Sequence, residues 1–79
     1  MTPDVIRVKT LPAFCLEAEF ETGERRLFDM KPYLAYPAFS ALQNESLFAK
    51  AHVQYGTVVW TEDIDVSPDT LYIRGQVCA

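Results

Sequence analysis

The strictest alternation in the chain runs from Phe14 to Glu21, where Phe14, Leu16, Ala18 and Phe20 fall on one side and Cys15, Glu17, Glu19 and Glu21 on the other. A period of two with one apolar face predicts a half-buried antiparallel strand. Upstream, Val5 to Leu11 interleaves apolar residues with Arg7 and Lys9, which predicts an edge-like strand with Ile6 and Val8 on one face, ended or bent by Pro12. Downstream, Thr22-Gly23 supplies a turn and Arg25 to Met30 returns as a third strand. Register matters, because a one-residue slip reverses every side chain. A three-residue loop of Glu21, Thr22 and Gly23, with Gly23 left-handed, sets Leu16 opposite Phe28 and Glu19 opposite Arg25, so that both faces match.

Beyond the meander the pattern shortens. Pro32 stops the third strand, and Lys31-Pro32-Tyr33-Leu34 reads as one helical turn with proline in its first positions. After Pro37, Phe39 and Leu42 stand three apart. Asn44 can then cap a short helix from Glu45 to Ala51 whose Leu47, Phe48 and Ala51 share a face. Val53 and Tyr55 alternate with His52 and Gln54, Gly56 marks a turn or bulge, and Thr57 to Trp60 reads as the last strand, with Trp60 in the core. An acidic loop leads to Ser67, Pro68 and Asp69, which combine a hydroxyl cap, a proline at the first helical position and a carboxylate at the positive end of the dipole. Leu71 and Tyr72 should pack inward before Gly75 ends the element. The order predicts an α+β fold with a mainly antiparallel sheet: a three-strand meander, short helices, two short strands and a terminal helical turn.

Seventy-nine residues allow one domain, expected over residues 1–79 with a core at about 4–74 and a short C-terminal tail. Apolar residues make up 49% and charged residues 23% of the chain, which places it among compact globules rather than disordered tails. The net charge of −4 argues against a partner held by its phosphates, so direct nucleic-acid binding is set aside. Arg7, Lys9, Arg25, Arg26 and Lys31 lie in the first forty residues, whereas Glu62, Asp63, Asp65 and Asp69 crowd the last third. An acidic face of this kind suits a basic protein partner, and solvation of a loop is the blander account of the same residues. Two cysteines, Cys15 and Cys78, form neither a metal spacing nor a disulfide framework. The N-terminus lacks a signal peptide's basic head and apolar run, and no stretch is long enough to cross a bilayer. A cytoplasmic protein with no membrane attachment is expected.

Candidate chemistry is sparse. His52 is the sole histidine and has no sequence-local partner to orient it as a base or ligand. Asp63, Asp65, Ser67 and Asp69 alternate oxygen-bearing side chains as a calcium loop does. However, Pro68 stands where such a loop needs glycine and Arg74 where it needs the closing glutamate. Glu17 and Glu19 share a strand face with Arg7, Lys9 and Arg25 in reach, which favours cross-strand pairing over paired-acid catalysis. Tyr33, Tyr36, Phe39, Tyr55, Trp60 and Tyr72 could stack bases, but basic residues are scarce from Phe39 onward, so most read as core and an exposed subset as a protein interface. No catalytic residue, metal ligand or cofactor is expected, and the chain is not read as an enzyme.

Three blocks, Phe28-Asp29-Met30-Lys31-Pro32-Tyr33-Leu34, Gly56-Thr57-Val58-Val59-Trp60 and Ser67-Pro68-Asp69-Thr70-Leu71-Tyr72, resemble the small bacterial family called domain of unknown function 2442. The likeness runs from the first strand to Tyr72. It departs after Trp60, where Thr61-Glu62-Asp63 replaces a Pro-Asn-Gly-like turn. The resemblance implies a compact α+β fold and carries over no catalytic residue. It marks Phe28, Pro32, Tyr33, Gly56, Trp60, Ser67, Pro68, Leu71 and Tyr72 as the structural signature. It also implies stand-alone modules, modules joined to helix-turn-helix domains, and members encoded beside a second small protein as toxins and antitoxins are. The chain ends soon after the module, so no DNA-binding domain of its own is expected. The leading expectation is a non-enzymatic, antitoxin-like interaction module with Glu62, Asp63, Asp65 and Asp69 as contact charges. The alternative is a small-ligand sensor with a pocket between the sheet and the Glu45–Ala51 helix. The edge strand Val5–Leu11 could also pair two copies across a two-fold axis.

Overall fold

The computed structural model describes residues 2–77. Along the chain run β1 (Val5–Leu11), β2 (Cys15–Phe20), β3 (Arg25–Asp29), a 3-10 turn at Lys31–Tyr33 and another at Ser40–Gln43. Then come α1 (Glu45–Phe48), β4 (His52–Gln54), β5 (Thr57–Thr61), β6 (Ile64–Val66), α2 (Pro68–Arg74) and β7 (Gln76–Val77). The strands form two antiparallel sheets, one ordered β1-β2-β3-β7 and the other β4-β5-β6. The fold is α+β. No helix among the described residues is long and apolar enough to cross a membrane.

The meander has the register its faces demand. Leu16 lies opposite Phe28 and Glu19 opposite Arg25. Gly23 turns at φ 91° and donates its N–H to the Phe20 carbonyl, while Phe20 donates to Glu24. Leu16, Ala18 and Phe20 are completely buried. They share one hydrophobic cluster with Phe28, Met30, Leu42, Phe48 and Leu71, and with Val58, Trp60 and Val66 of the second sheet. Trp60 fixes α1 to that sheet, because its Nε1 donates to the Phe48 carbonyl at 2.9 Å and thereby satisfies a helix-end acceptor. Both caps form as the sequence suggests: Asn44 accepts from the backbone of Ser46 and Leu47, and Ser67 accepts from Thr70.

Four local expectations change. The β1–β2 ladder shifts register between Val5 and Arg7, so Val5 is buried while Ile6 turns outward at 46% exposure; the extra residue breaks the simple alternation. Phe14 precedes β2 rather than beginning it, with a left-handed φ of 59°, yet it still packs edge-on against Phe48. The helix expected over Glu45–Ala51 stops at Phe48, where Ala49 caps a single turn. The acidic stretch after Trp60 is a tight turn into β6 rather than an open loop, and α2 is followed by β7, a strand too short to carry a pattern.

Tyr55 and Gly56 make the two-residue turn between Gln54 and Thr57, both with positive φ, 53° and 76°. That geometry belongs to asparagine followed by glycine. Tyr55 is 95% exposed and gains nothing from packing there. A Cβ on Gly56 would come within 2.6 Å of the Asp4 side chain, and the Gly56 carbonyl accepts from Val5, tying the turn to β1. Tyr55→Asn is therefore expected to raise unfolding free energy by about 0.5–1 kcal/mol, and Gly56→Ala to lower it by about 2 kcal/mol or more. Urea denaturation monitored at Trp60 measures both.

Candidate functional site

The four carboxylates expected to act together come from three places: a hairpin tip, β6 and the first turn of α2. Glu62 and Asp63 are exposed at the tip of the β5–β6 hairpin, where the Asp63 N–H donates to the Thr61 hydroxyl. Asp65 sits on β6 opposite Val59. Asp69, in the first turn of α2, accepts from the Thr2 hydroxyl. Among the described residues, no group of three or more His, Cys, Asp or Glu could hold a metal ion. His52 is exposed on β4 with Nδ1 3.0 Å from the Lys50 carbonyl. Cys78 lies outside the described residues.

The signature residues play separate parts. Trp60 and Leu71 are core, Gly56 turns the β4–β5 hairpin, and Ser67 and Pro68 start α2. Phe28 stacks on Tyr33 with ring centroids 5.3 Å apart and planes inclined by 24°. The exposed Pro32 holds the 3-10 turn that presents Tyr33. Tyr36 and Phe39 then meet Tyr33 edge-on at 6.0 and 6.3 Å. These four rings come from β3 and the proline-punctuated segment after it.

They form one wall of an open groove of about 540 Å³. From β6, the α2 cap and α2 it is lined by Asp65, Val66, Ser67, Thr70 and Arg74, polar but for Val66. Ser67 and Thr70 are occupied with each other, their hydroxyls 3.0 Å apart. Arg74 is exposed, and among the described residues it enters no ion pair. A second hollow, about 630 Å³, shares Phe28, Pro32, Tyr33 and Arg74 and continues toward Leu11, Cys15 and Leu27. Its other charged residue, Asp29, is already paired with Lys31 at 3.1 Å, so the first groove holds the more available chemistry. The expected pocket against the Glu45 helix is smaller, about 330 Å³, between the β1–β2 turn and α1.

A residue given no role by the sequence, Arg26, sets the position of α2. Its alternation puts it on the inner face of β3, opposite Ala18, where an exposed charge cannot sit. Its side chain, 14% exposed, lies over the Tyr72 ring at 4.0 Å and donates to the Tyr72 carbonyl and to Glu24 at 2.5 and 2.9 Å. The Tyr72 hydroxyl closes the circuit by donating to Glu24 at 2.8 Å. The hydrogen bond from Arg26, followed by that from Tyr72, holds the Glu24 carboxyl below its ordinary range; the bond to Glu24 raises the Tyr72 phenol. Only Arg26 Nε among buried side-chain polar atoms lacks a partner in the described residues.

The basic residues expected to be neutralised on the strand face are there. Arg7, Glu19 and Arg25 form one cross-strand row, and Lys9, Glu17 and Leu27 the next. Arg7 Nε lies 3.6 Å from Glu19.

Over residues 5–76 the sequence matches the model of the family described as protein of unknown function (DUF2442). The fold is similar to the crystal structure of the putative DNA binding protein NE0471 from Nitrosomonas europaea ATCC 19718, with a TM-score of 0.76 and 25% identity. The likeness covers 89% of this chain and 46% of that one, so the chain spans less than half of its structural neighbour. No curated protein sequence matches. The neighbour's description overturns the earlier exclusion of nucleic acid from the list of partners. The physical flaw in that exclusion is that net charge averages over faces and so does not decide what any one face can meet; on the outer face of the first sheet Arg7, Lys9 and Arg25 stand among Glu17 and Glu19.

Because the folded Glu24 carboxyl is held below its unfolded value, its contribution to stability is present above the unfolded pKa of about 4.3 and is lost as pH falls through the lower folded value. Glu24→Gln is expected to flatten the loss of thermal stability below about pH 4, measured by circular dichroism melts from pH 7 to pH 2.5. An unchanged profile would show that the Arg26–Glu24–Tyr72 circuit does not govern acid unfolding.

Proposed function

The chain belongs to the DUF2442 family, and we propose that it is a non-enzymatic regulatory module of a DNA-binding system that receives a small ligand in the groove between the Phe28–Tyr33 stack and α2. The observation that carries this reading is the groove's mixed lining: aromatic rings on one side, and on the other Arg74 and Asp65, which no described neighbour neutralises. Concave sites of roughly 300–1,000 Å³ with an apolar body and a few polar groups are the usual form of small-molecule sites. The DNA context comes from the structural neighbour's description, and the 46% coverage leaves more than half of that protein for other tasks. Catalysis draws no support, since the groove holds neither a nucleophile beside a base nor a metal cluster among the described residues.

The antitoxin-like reading receives less from the geometry. Glu62 and Asp63 remain together at an exposed hairpin tip, but Asp65 belongs to the groove and Asp69 is engaged by Thr2.

A thermal-shift screen against small metabolites tests the proposal. A ligand at about a hundred times its dissociation constant should stabilise the fold by roughly 2.7 kcal/mol, and Tyr36→Ala, at the exposed rim, should weaken that effect. Stabilisation by no compound in the screen would sink the ligand-module reading.

A further inference from the structure

We infer that the groove is built for a free α-amino acid with an aromatic or large apolar side chain, an assignment that rests on the ligand-module reading above. Two opposite charges line the same groove and are not paired with each other: Asp65 on β6 and Arg74 at the end of α2. Asp65 takes part in no ion pair or side-chain hydrogen bond among the described residues, and Arg74 likewise has none. A purely anionic ligand would satisfy Arg74 and sit beside a second negative charge. A cation would meet Asp65 and leave the guanidinium unused. A zwitterion uses both.

The chemistry of the two groups fits that division. A guanidinium presents its N–H groups as a planar fork that matches a carboxylate, and a carboxylate such as Asp65 accepts from an ammonium. Across the groove from them, Phe28, Tyr33, Tyr36 and Phe39 supply an aromatic surface against which a ring or branched side chain buries its apolar area. β6 is an edge strand of its sheet, so its free side also carries backbone groups without a ladder partner. The volume of about 540 Å³ accommodates such a molecule without closure of the fold.

The test uses the full chain and titration calorimetry with L-phenylalanine, L-tyrosine and L-leucine, against three analogues of phenylalanine. Hydrocinnamate lacks the ammonium, phenethylamine lacks the carboxylate, and N-acetylphenylalanine amide lacks both charges. The expected result is binding of the free amino acids, with each analogue weaker on the order of ten- to a hundredfold. Arg74→Gln and Asp65→Asn should each weaken binding to a similar extent, and because both residues are exposed, the variants should keep the parent's circular dichroism and melting temperature. Hydrocinnamate binding as tightly as phenylalanine, with Asp65→Asn silent, would overturn the zwitterion assignment in favour of a simple anion. Tightest binding of the blocked amide would overturn it in favour of a peptide segment. No binding by any amino acid, while a compound from the metabolite screen binds in a manner lost with Tyr36→Ala, would overturn this assignment and leave the ligand-module reading standing. No binding in either experiment removes both.

Discussion

The molecule is organised around the two-faced central strand β2. Leu16, Ala18 and Phe20 lose all contact with water, and their burial accounts for why everything else lies where it does. Their neighbours in register, Val8 and Thr10 on one side and Phe28 and Arg26 on the other, are forced to the same inner face. The second sheet and both helices then cover that face. On the opposite side, Glu17 and Glu19 have no choice but to look outward, and Arg7, Lys9 and Arg25 line up beside them. Pairing of this sort on an exposed sheet contributes little individually, of the order of 0.2–1 kcal/mol for each pair. Its larger effect is to make the wrong register costly.

The same constraint creates an anomaly, and α2 resolves it. Alternation along β3 puts Arg26 on the apolar side, and an unpaired guanidinium could not remain there. Tyr72 covers it with a ring, a carbonyl receives one of its N–H groups, and Glu24 receives another. A buried charge held this way is weak evidence of added stability, but its two hydrogen bonds and ring contact are directional. Helix α2 is thereby fixed in rotation as well as position, and the rotation brings Thr70 and Arg74 to the aromatic rings of the groove. The geometry of the groove is thus inherited from a residue that does not line it.

What was legible in the sequence was local. The alternation of Phe14 to Glu21, the left-handed Gly23 and the caps at Asn44 and Ser67 each state their geometry within a few residues, and all but the placement of Phe14 appear as read. The family resemblance carried by Phe28–Leu34, Gly56–Trp60 and Ser67–Tyr72 agrees with the family match. What escaped notice depended on partners distant in the chain. Ile64–Val66 and Gln76–Val77 are too short to show a period, and they become strands only because β5 and β3 offer free edges. Arg26 reads as one more charge on a strand until the register shows which way it faces. The groove is assembled from β3, the proline-rich turn, β6 and α2, and no window of sequence contains more than part of it.

The return of β7 to β3 carries a further implication for how the chain reaches this state. The turns of the meander close over a few residues, whereas Leu27 meets Gln76 across about fifty; closing that longer loop costs roughly 2 kcal/mol more in chain entropy. The meander can therefore assemble from short-range contacts alone, while the last strand can dock only after the second sheet and α2 have shortened the distance it must span. The groove and the Arg26 circuit need α2 seated against β3 but no residue of β7, so they precede that late step. The two-residue terminal strand is thus the piece that docks last and the piece most easily released, with the lining of the groove left in place.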